Sequence, residues 1–375
     1  MRLKVCHVTT GHWLKDGRIF HKEAVSLAKR GFEVAVLGPA NEPPPPRMGV
    51  TFVGVPIAPF RNRVMRKSAL LFRIRMKSLL MRCHVYHCHE MDAVVAVLPN
   101  IFFGSRIIYD VHEHFPENYC DRLGKPWLAL LRILDRLASR VVHLVMTVDE
   151  TLADKYRTSM NVAVVHNYPI YDSYLSSQQN RERNLAIYVG GITEERGICE
   201  MIEGVALARA RHGGLHLKMV GKFVPPEFRT VVEQKITELG LSEAVEIIDW
   251  GPFEGMPEMI QGASIGLSFL RPVRRYSLAI PTKVYEYMAA GIPVVASSFK
   301  NISRFLESEQ CGITAEPGSA RSFSDAICFL LENSEEMERM GRNGRLAVRE
   351  KYNWENESRI LVKSYERITG IPGRP

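Results

Sequence analysis

Residues 281–297, PTKVYEYMAAGIPVVAS, put an acid, Glu286, in a helix-like run that leads into the apolar strand pattern IPVVAS. A carboxylate beside a core needs a partner, because burial raises its pKa and favours the neutral acid. Pro281 suits a helix entry, and the helix starts near Thr282 or Lys283. The free N–H groups and partial positive charge of such a terminus suit a phosphate. Glu286 follows Lys283 by three positions and projects from nearly the same face, one turn in, where a carboxylate can accept from both hydroxyls of a ribose. The same spacing also describes a Lys–Glu pair on a solvated surface, and spacing alone leaves both readings open.

Three further stretches carry polar chemistry. YVGGITEERG (188–197) ends a strand in Gly190 and Gly191, which let a ligand approach the backbone, although such a pair is also a common tight turn. His112 closes the strand RIIYDVH, with Glu113 beside it; a lone strand-end histidine is as a rule structural. The first βα loop, TTGHWLKDGRIF, does not follow GxGxxG and so gives no dinucleotide fingerprint. In it Gly11 permits close approach, while Asp16 and Arg18 either face an acceptor or pair with each other. CHVYHCHE (83–90) is rich in metal-ligand types, but strand alternation separates His84, Cys88 and Glu90 from Cys83, His87 and His89. Neither set has CxxC or HxxxH spacing, so no metal site is expected.

The elements that must position these residues form two series. Strand-like runs such as LKVCHVT, EVAVLGP and RIIYDVH, then LAIYVGG, LHLKMVG and IPVVAS, alternate with amphipathic helix-like runs ending near glycine. That alternation, met twice, predicts an α/β protein with two Rossmann-like parallel-sheet domains. The polar stretch 171–184 separates an N-terminal domain, 1–175, from a C-terminal domain, 183–354. A terminal helix at about 355–375 is expected to pack back on the first domain. Ligands of open α/β sheets bind at the carboxyl ends of the strands, which puts the site in the cleft between the domains.

The chain has 375 residues, 46% hydrophobic and 24% charged, the balance of a folded protein. Its N-terminus enters a strand pattern without a signal-peptide core, and no run of about 18 apolar residues predicts a membrane span. The seven cysteines (6, 83, 88, 120, 199, 311 and 328) are odd in number and scattered, which points to reduced thiols and the cytoplasm. The net charge of +8 is local: residues 61–82 hold eight basic residues and no acid, and the rest of the chain balances. On a helical wheel Met65, Ala69, Phe72, Met76, Leu79 and Leu80 form one apolar stripe, and Leu70, Ile74 and Met81 a narrower second. Arg66, Arg73 and Lys77 flank the wide stripe on one side, Arg75 and Arg82 on the other. A surface helix needs one apolar face for the core; a second, flanked by cations, predicts peripheral attachment to an anionic membrane. The competing reading is a basic solvated helix. Nucleic acid is not expected, since Phe72 is the segment's one aromatic ring.

PTKVYEYMAAGIPVVAS resembles the donor-site signature of family 4 retaining glycosyltransferases, the group 1 enzymes of GT-B fold. KDGRIFHKEAVSLAKRGFEVAVLG (15–38), YDVHEHFPE (109–117), VVHNYP (164–169), YVGGITEERG and RNGRLAVREKYNWE (342–355) resemble further family segments in the family's order, covering nearly the whole chain. The resemblance implies transfer of a sugar from a nucleotide diphosphate sugar without an essential metal or other cofactor. It implies donor binding by Gly190, Gly191, Arg196, Thr282, Lys283 and Glu286, with Glu286 on the ribose. Leaving-group charge would fall to Arg196 and Lys283, with His112 against the transferred sugar. Gly11, Asp16 and Arg18 are the candidates on the acceptor side. Two positions depart from the family pattern. Leu278 stands where it has a glutamate that reads sugar hydroxyls, and Gly191 where it has a basic residue; Lys283, Lys222, Arg274 or Arg275 could supply that charge, with Lys283 favoured. The expected setting is bacterial cell-surface polysaccharide synthesis on the inner face of the membrane, with a glycan or polyprenyl-linked saccharide as acceptor. A nucleotide-sugar epimerase of the same fold and a non-catalytic nucleotide-sugar-binding protein are the alternatives.

Overall fold

The computed structural model describes residues 2–113, 124–159, 161–175, 181–273 and 279–371. The chain divides into two compact units, Met1–Asn167 with Glu355–Pro375, and Tyr168–Trp354. The division at Asn167 falls ahead of the polar stretch 171–184, because Tyr168 already packs on Tyr285 and Tyr352 of the second unit.

The first unit holds β1 (Lys4–Val8), a π-helix (Gly17–Ala24) running into α1 (Val25–Lys29), β2 (Glu33–Pro39), β3 (Val50–Val55) and α2 (Arg63–Met81). β4 (Val85–Cys88), α3 (Met91–Val97), β5 (Arg106–Val111), α4 (Lys125–Val141), β6 (Leu144–Thr147), α5 (Glu150–Lys155) and β7 (Val162–Val164) follow. The seven strands are parallel in the order β3-β2-β1-β4-β5-β6-β7. The order reverses between β1 and β4, which opens a crevice beyond their carboxyl ends.

The second unit holds β8 (Leu185–Val189), α6 (Ile198–Arg211), β9 (His216–Val220), α7 (Phe228–Glu238), β10 (Val245–Ile248), α8 (Met256–Gln261) and β11 (Ile265–Ser268). It continues through α9 (Thr282–Ala290), β12 (Val294–Ser297), α10 (Lys300–Glu309), β13 (Gly312–Ala315), α11 (Ala320–Glu332) and α12 (Ser334–Glu350). Its six parallel strands run β10-β9-β8-β11-β12-β13 and reverse between β8 and β11. Both sheets are covered on two faces, so the central strands are buried: β8 and β12 are buried at every position. The last helix, α13 (Trp354–Thr369), belongs almost wholly to the first unit, where Tyr365 is buried with its hydroxyl 2.7 Å from His87 Nδ1.

The wheel of α2 resolves unequally. The narrow stripe, Leu70 and Ile74, is the core face, whereas Met65, Phe72, Met76 and Leu80 of the wide stripe are exposed, Phe72 by 64%. Arg66, Arg73 and Lys77 are exposed with them. Arg75 differs from the membrane-facing expectation: its guanidinium donates to the Ala96 and Val95 carbonyls and caps α3. The sequence reading passed over α4, whose Trp127, Leu130, Ile133, Leu134 and Leu137 are also exposed. Arg132, Arg136 and Arg140 line the flank of α4. No helix among the described residues is long and apolar enough to cross a membrane.

Candidate functional site

In the second unit the residues converge at the β8/β11 reversal. Gly190 leaves β8 at φ +140°, a backbone state that side chains resist. A Cβ there would lie 2.8 Å from Arg196 Nη1 and 2.9 Å from Lys283 Nζ, so the missing side chain is the space two cations border. Arg196 closes the turn after β8, its Nη1 donating to the Gly191 carbonyl at 3.4 Å, while the Tyr188 hydroxyl donates to the same oxygen at 2.7 Å.

Lys283 enters from the first turn of α9, with Pro281 as N-cap. It is 7% exposed, its Nζ stands 3.7 Å above the Tyr188 ring, and it has no hydrogen-bond partner among the described residues. Burial, aided by the neighbouring Arg196 charge, pushes its pKa well below the ordinary lysine range, and Glu286 opposes that shift. A dry, unpartnered ammonium facing a second cation is costly unless an anion joins them. Glu286 is half-buried one turn further along, and Thr282 is exposed at the helix start. Tyr287 anchors the site: its hydroxyl accepts from Val189 N and donates to the Leu267 carbonyl, bridging β8 and β11 where they diverge. Gly266 permits this, since a Cβ there would stand 2.3 Å from the Tyr287 ring. Among the basic residues proposed to replace the missing charge at Gly191, Lys283 borders Gly190 and Lys222 is exposed beyond β9. Arg274, Arg275 and Leu278 lie outside the described residues.

In the first unit, the crevice at the β1/β4 reversal is lined by Gly11, His12 and Glu90. Glu90 accepts from Thr9 Oγ1 at 2.8 Å and Thr10 N at 3.0 Å, and a Cβ on Gly11 would touch it. Asp16 caps the π-helix, accepting from Arg18 N and Ile19 N. Burial would raise the Asp16 pKa, but the His12 ring and those two amides outweigh it and hold the acid ionised.

Arg18 departs from the acceptor-facing expectation. It is 5% exposed, and its guanidinium is taken up by Glu23 Oε1 at 2.8 Å, by both Asp110 oxygens and by the Val165 carbonyl. The reason is the π-helix. Hydrogen bonds closing over five residues stack positions i and i+5, so Arg18 and Glu23 share one face that points into the core.

His112 sits at the end of this network, its Nε2 2.7 Å from Asp110 Oδ2. Burial alone would raise the Asp110 pKa; the Arg18 charge and the hydrogen bond from His112 hold it well below the carboxylate range. Asp110 accepts a hydrogen bond from His112 Nε2, so among the described residues Nδ1 is the ring atom left to meet a ligand. Behind it stand His7, Glu23, His87 and His89, all fully buried. Sequence reasoning gave no role to His12 and Asp110 and set Glu90 aside with the rejected metal pattern, because the contacts His12–Glu90, Thr9–Glu90 and Arg18–Asp110 join distant segments.

Two family profiles match the chain, "Glycosyltransferase Family 4" over residues 17–168 and "Glycosyl transferases group 1" over residues 175–347. The chain is 24% identical over 331 residues to an alpha-D-kanosaminyltransferase of Streptomyces kanamyceticus, spanning 80% of this chain and 82% of that protein. It is 24% identical over 251 residues to the MMP alpha-(1->4)-mannosyltransferase of Mycolicibacterium hassiacum, spanning 65% and 59%. Among solved structures, HepE of Anabaena in complex with UDP-glucose superposes with a TM-score of 0.75 at 14% identity, over 98% of this chain and 100% of that one. WaaG, a glycosyltransferase involved in lipopolysaccharide biosynthesis, superposes with a TM-score of 0.71 at 17% identity, again over 98% and 100%.

Proposed function

Because the chain belongs to the GT-B glycosyltransferases, matching their group 1 and family 4 profiles, we propose that it moves a sugar from a UDP- or GDP-linked donor to a glycan or polyprenyl-linked saccharide, with retention at the anomeric carbon. One observation carries the reading: the buried ammonium of Lys283, unpartnered among the described residues, borders the Gly190 space with Arg196 at the N-terminus of α9. A diphosphate placed there meets two cations and free helix N–H groups, and Glu286, one turn on, is set for the ribose. As the anomeric C–O bond to the diphosphate breaks, the developing negative charge is met by Arg196, Lys283 and the helix terminus. The acceptor hydroxyl attacks from the face the diphosphate leaves, and its proton passes to the departing phosphate oxygen. These groups supply the positive charge that a metal would otherwise bring, so no catalytic metal is required.

His112, oriented by Asp110, is assigned to the transferred sugar, and the crevice of Gly11, His12, Asp16 and Glu90 to the acceptor. The exposed apolar faces of α2 and α4, with their arginines and lysines, suit attachment to an anionic membrane on its cytoplasmic side, where a lipid-linked acceptor lies. A cell-surface polysaccharide pathway is the setting favoured by likeness to WaaG, which is involved in lipopolysaccharide biosynthesis, and to the amylovoran biosynthesis glycosyltransferase AmsK of Erwinia amylovora.

The test is calorimetric titration with UDP, GDP and their sugars, followed by turnover with and without a lipid-linked acceptor. Glu286→Ala is expected to weaken nucleotide binding by about ten- to a hundredfold, the scale of lost hydrogen bonds to a charged group. Unchanged affinity refutes the ribose assignment. Isomerisation of the donor without acceptor would point instead to an epimerase, and binding without turnover in either assay to a non-catalytic protein.

A further inference from the structure

The first unit encloses a side-chain cluster that the transfer chemistry does not use. β1 and β4 pair with His7 opposite His87, so His7, His87 and His89 project from one face of the sheet. Glu23 comes down on them from the π-helix, and all four residues are fully buried. His7 Nδ1 and His89 Nε2 are 3.0 Å apart. Glu23 Oε2 lies 3.7 Å from His7 Nδ1, 3.7 Å from His87 Nε2 and 3.9 Å from His89 Nε2. All four residues offer ligand atoms within 4.8 Å of one another. A regular tetrahedron with bonds of about 2.0 Å has edges of about 3.3 Å, longer than the His7–His89 spacing and shorter than the three spacings to Glu23.

Three of the four outward sides already have a neighbour, whereas His7 Nε2 is buried without a hydrogen-bond partner among the described residues. His87 Nδ1 meets the Tyr365 hydroxyl at 2.7 Å, His89 Nδ1 meets Asp110 Oδ2 at 3.2 Å, and Glu23 Oε1 meets Arg18 Nε at 2.8 Å. Partners on the far side of each ligand are what orient metal-binding imidazoles and carboxylates. Among the inward atoms, Glu23 Oε2 and His87 Nε2 are buried without a hydrogen-bond partner among the described residues. A buried polar atom left without a partner loses the hydrogen bonds it makes to water in the unfolded chain.

We propose that His7, Glu23, His87 and His89 form a closed structural site for a divalent transition metal, of which three nitrogens and one oxygen with no open position best suit zinc. The expectation of no metal rested on the spacing of CHVYHCHE within one strand. The site draws two ligands from that strand and two from elsewhere, so no spacing within a single segment could reveal it. The ion ties β1, β4 and the π-helix together, and through His89 and Asp110 it stiffens the seat of His112.

Tag-free full-length protein, stripped with chelator and dialysed against Zn2+ or Co2+, provides the test. One ion per chain is expected by elemental analysis, with a zinc-edge X-ray absorption shell of nitrogen and oxygen at about 2.0–2.1 Å and the strong visible bands of four-coordinate cobalt. Glu23→Gln and His87→Gln, which preserve side-chain size and polarity, should each lower metal affinity by about tenfold or more, whereas His216→Gln on the surface of the second unit should not. Binding of less than a tenth of an equivalent overturns the proposal. So does a sulfur shell, or full retention of metal by a folded Glu23→Gln/His87→Gln double variant. If these variants do not fold, the absorption shell of the unaltered protein decides alone.

Discussion

Lys283 is where a single side chain carries the most. Its pKa is depressed by burial and by Arg196, so in the ligand-free protein the unfolded chain binds this proton more tightly than the fold does. The resulting penalty is full at low pH and is relieved as pH rises toward the ordinary lysine value of about 10.4. A diphosphate reverses the balance by favouring the charged form. Nucleotide-sugar binding should therefore take up protons, and its affinity should fall as pH rises toward that value. A nucleotide sugar has no phosphate titrating in this range, and its uracil or guanine loses a proton only near the alkaline end, so the slope over neutral pH reports the protein. Titrations in buffers of different ionisation enthalpy measure the uptake. Lys283→Met should abolish both the uptake and the slope, and a slope that persists in it would move the effect elsewhere. Gly190→Ala tests the same space sterically. Its Cβ would displace both cations at a φ that costs on the order of 1–3 kcal/mol of strain, and donor binding should be lost while far-UV circular dichroism is retained.

At the scale of elements, legibility followed contiguity. Lys283 and Glu286 lie on one helix, and Gly190 to Arg196 form one strand-end turn, so local spacing sufficed to bring them forward. The network around Asp110 joins the π-helix, β4 and β5 across more than 90 positions, and local pattern holds no trace of such a meeting. Arg18 misled for a local reason: KDGRIF reads as an ordinary helix start, and nothing in it signals the five-residue turn that rotates Arg18 inward. The two-stripe wheel of α2 was informative, yet it did not tell which stripe was the core. Its wide stripe and the exposed row of α4 now make a definite prediction. Phe72→Ser with Trp127→Ser should reduce binding to anionic vesicles through lost apolar insertion. Arg66→Glu with Lys77→Glu should reduce it through charge, by about 1 kcal/mol for each cation removed and more for reversal. Arg75→Glu should instead destabilise the fold, because that side chain caps α3. Vesicle co-sedimentation beside thermal melting separates the three outcomes, and undiminished sedimentation of both double variants would remove the membrane face from the account.

Over the whole molecule the chain leaves the first unit at Asn167, builds the second, and returns at Glu355. The first unit is therefore incomplete until the last residues are made. α13 buries Leu361 and Tyr365, the latter against Phe32 and hydrogen-bonded to His87, and Glu357 accepts from His166 N at 2.8 Å. Removing it would expose the core beneath β1 and β4 and strip His87 of its outer partner. The second unit, by contrast, is continuous and contains every donor-side residue named above. A chain ending at Trp354 should thus lose the cooperative melting of the first unit while keeping nucleotide affinity within about twofold, since less than 0.5 kcal/mol is at stake in the second. Tyr365→Phe is the graded version: it keeps the packing, removes one buried hydrogen bond, and should cost about 1 kcal/mol in the first unit alone. Differential scanning calorimetry with and without nucleotide reads both, because a ligand that binds one unit raises the melting of that unit and leaves the other transition in place. Loss of nucleotide binding by the shortened chain would mean that the donor site depends on the first unit for its shape.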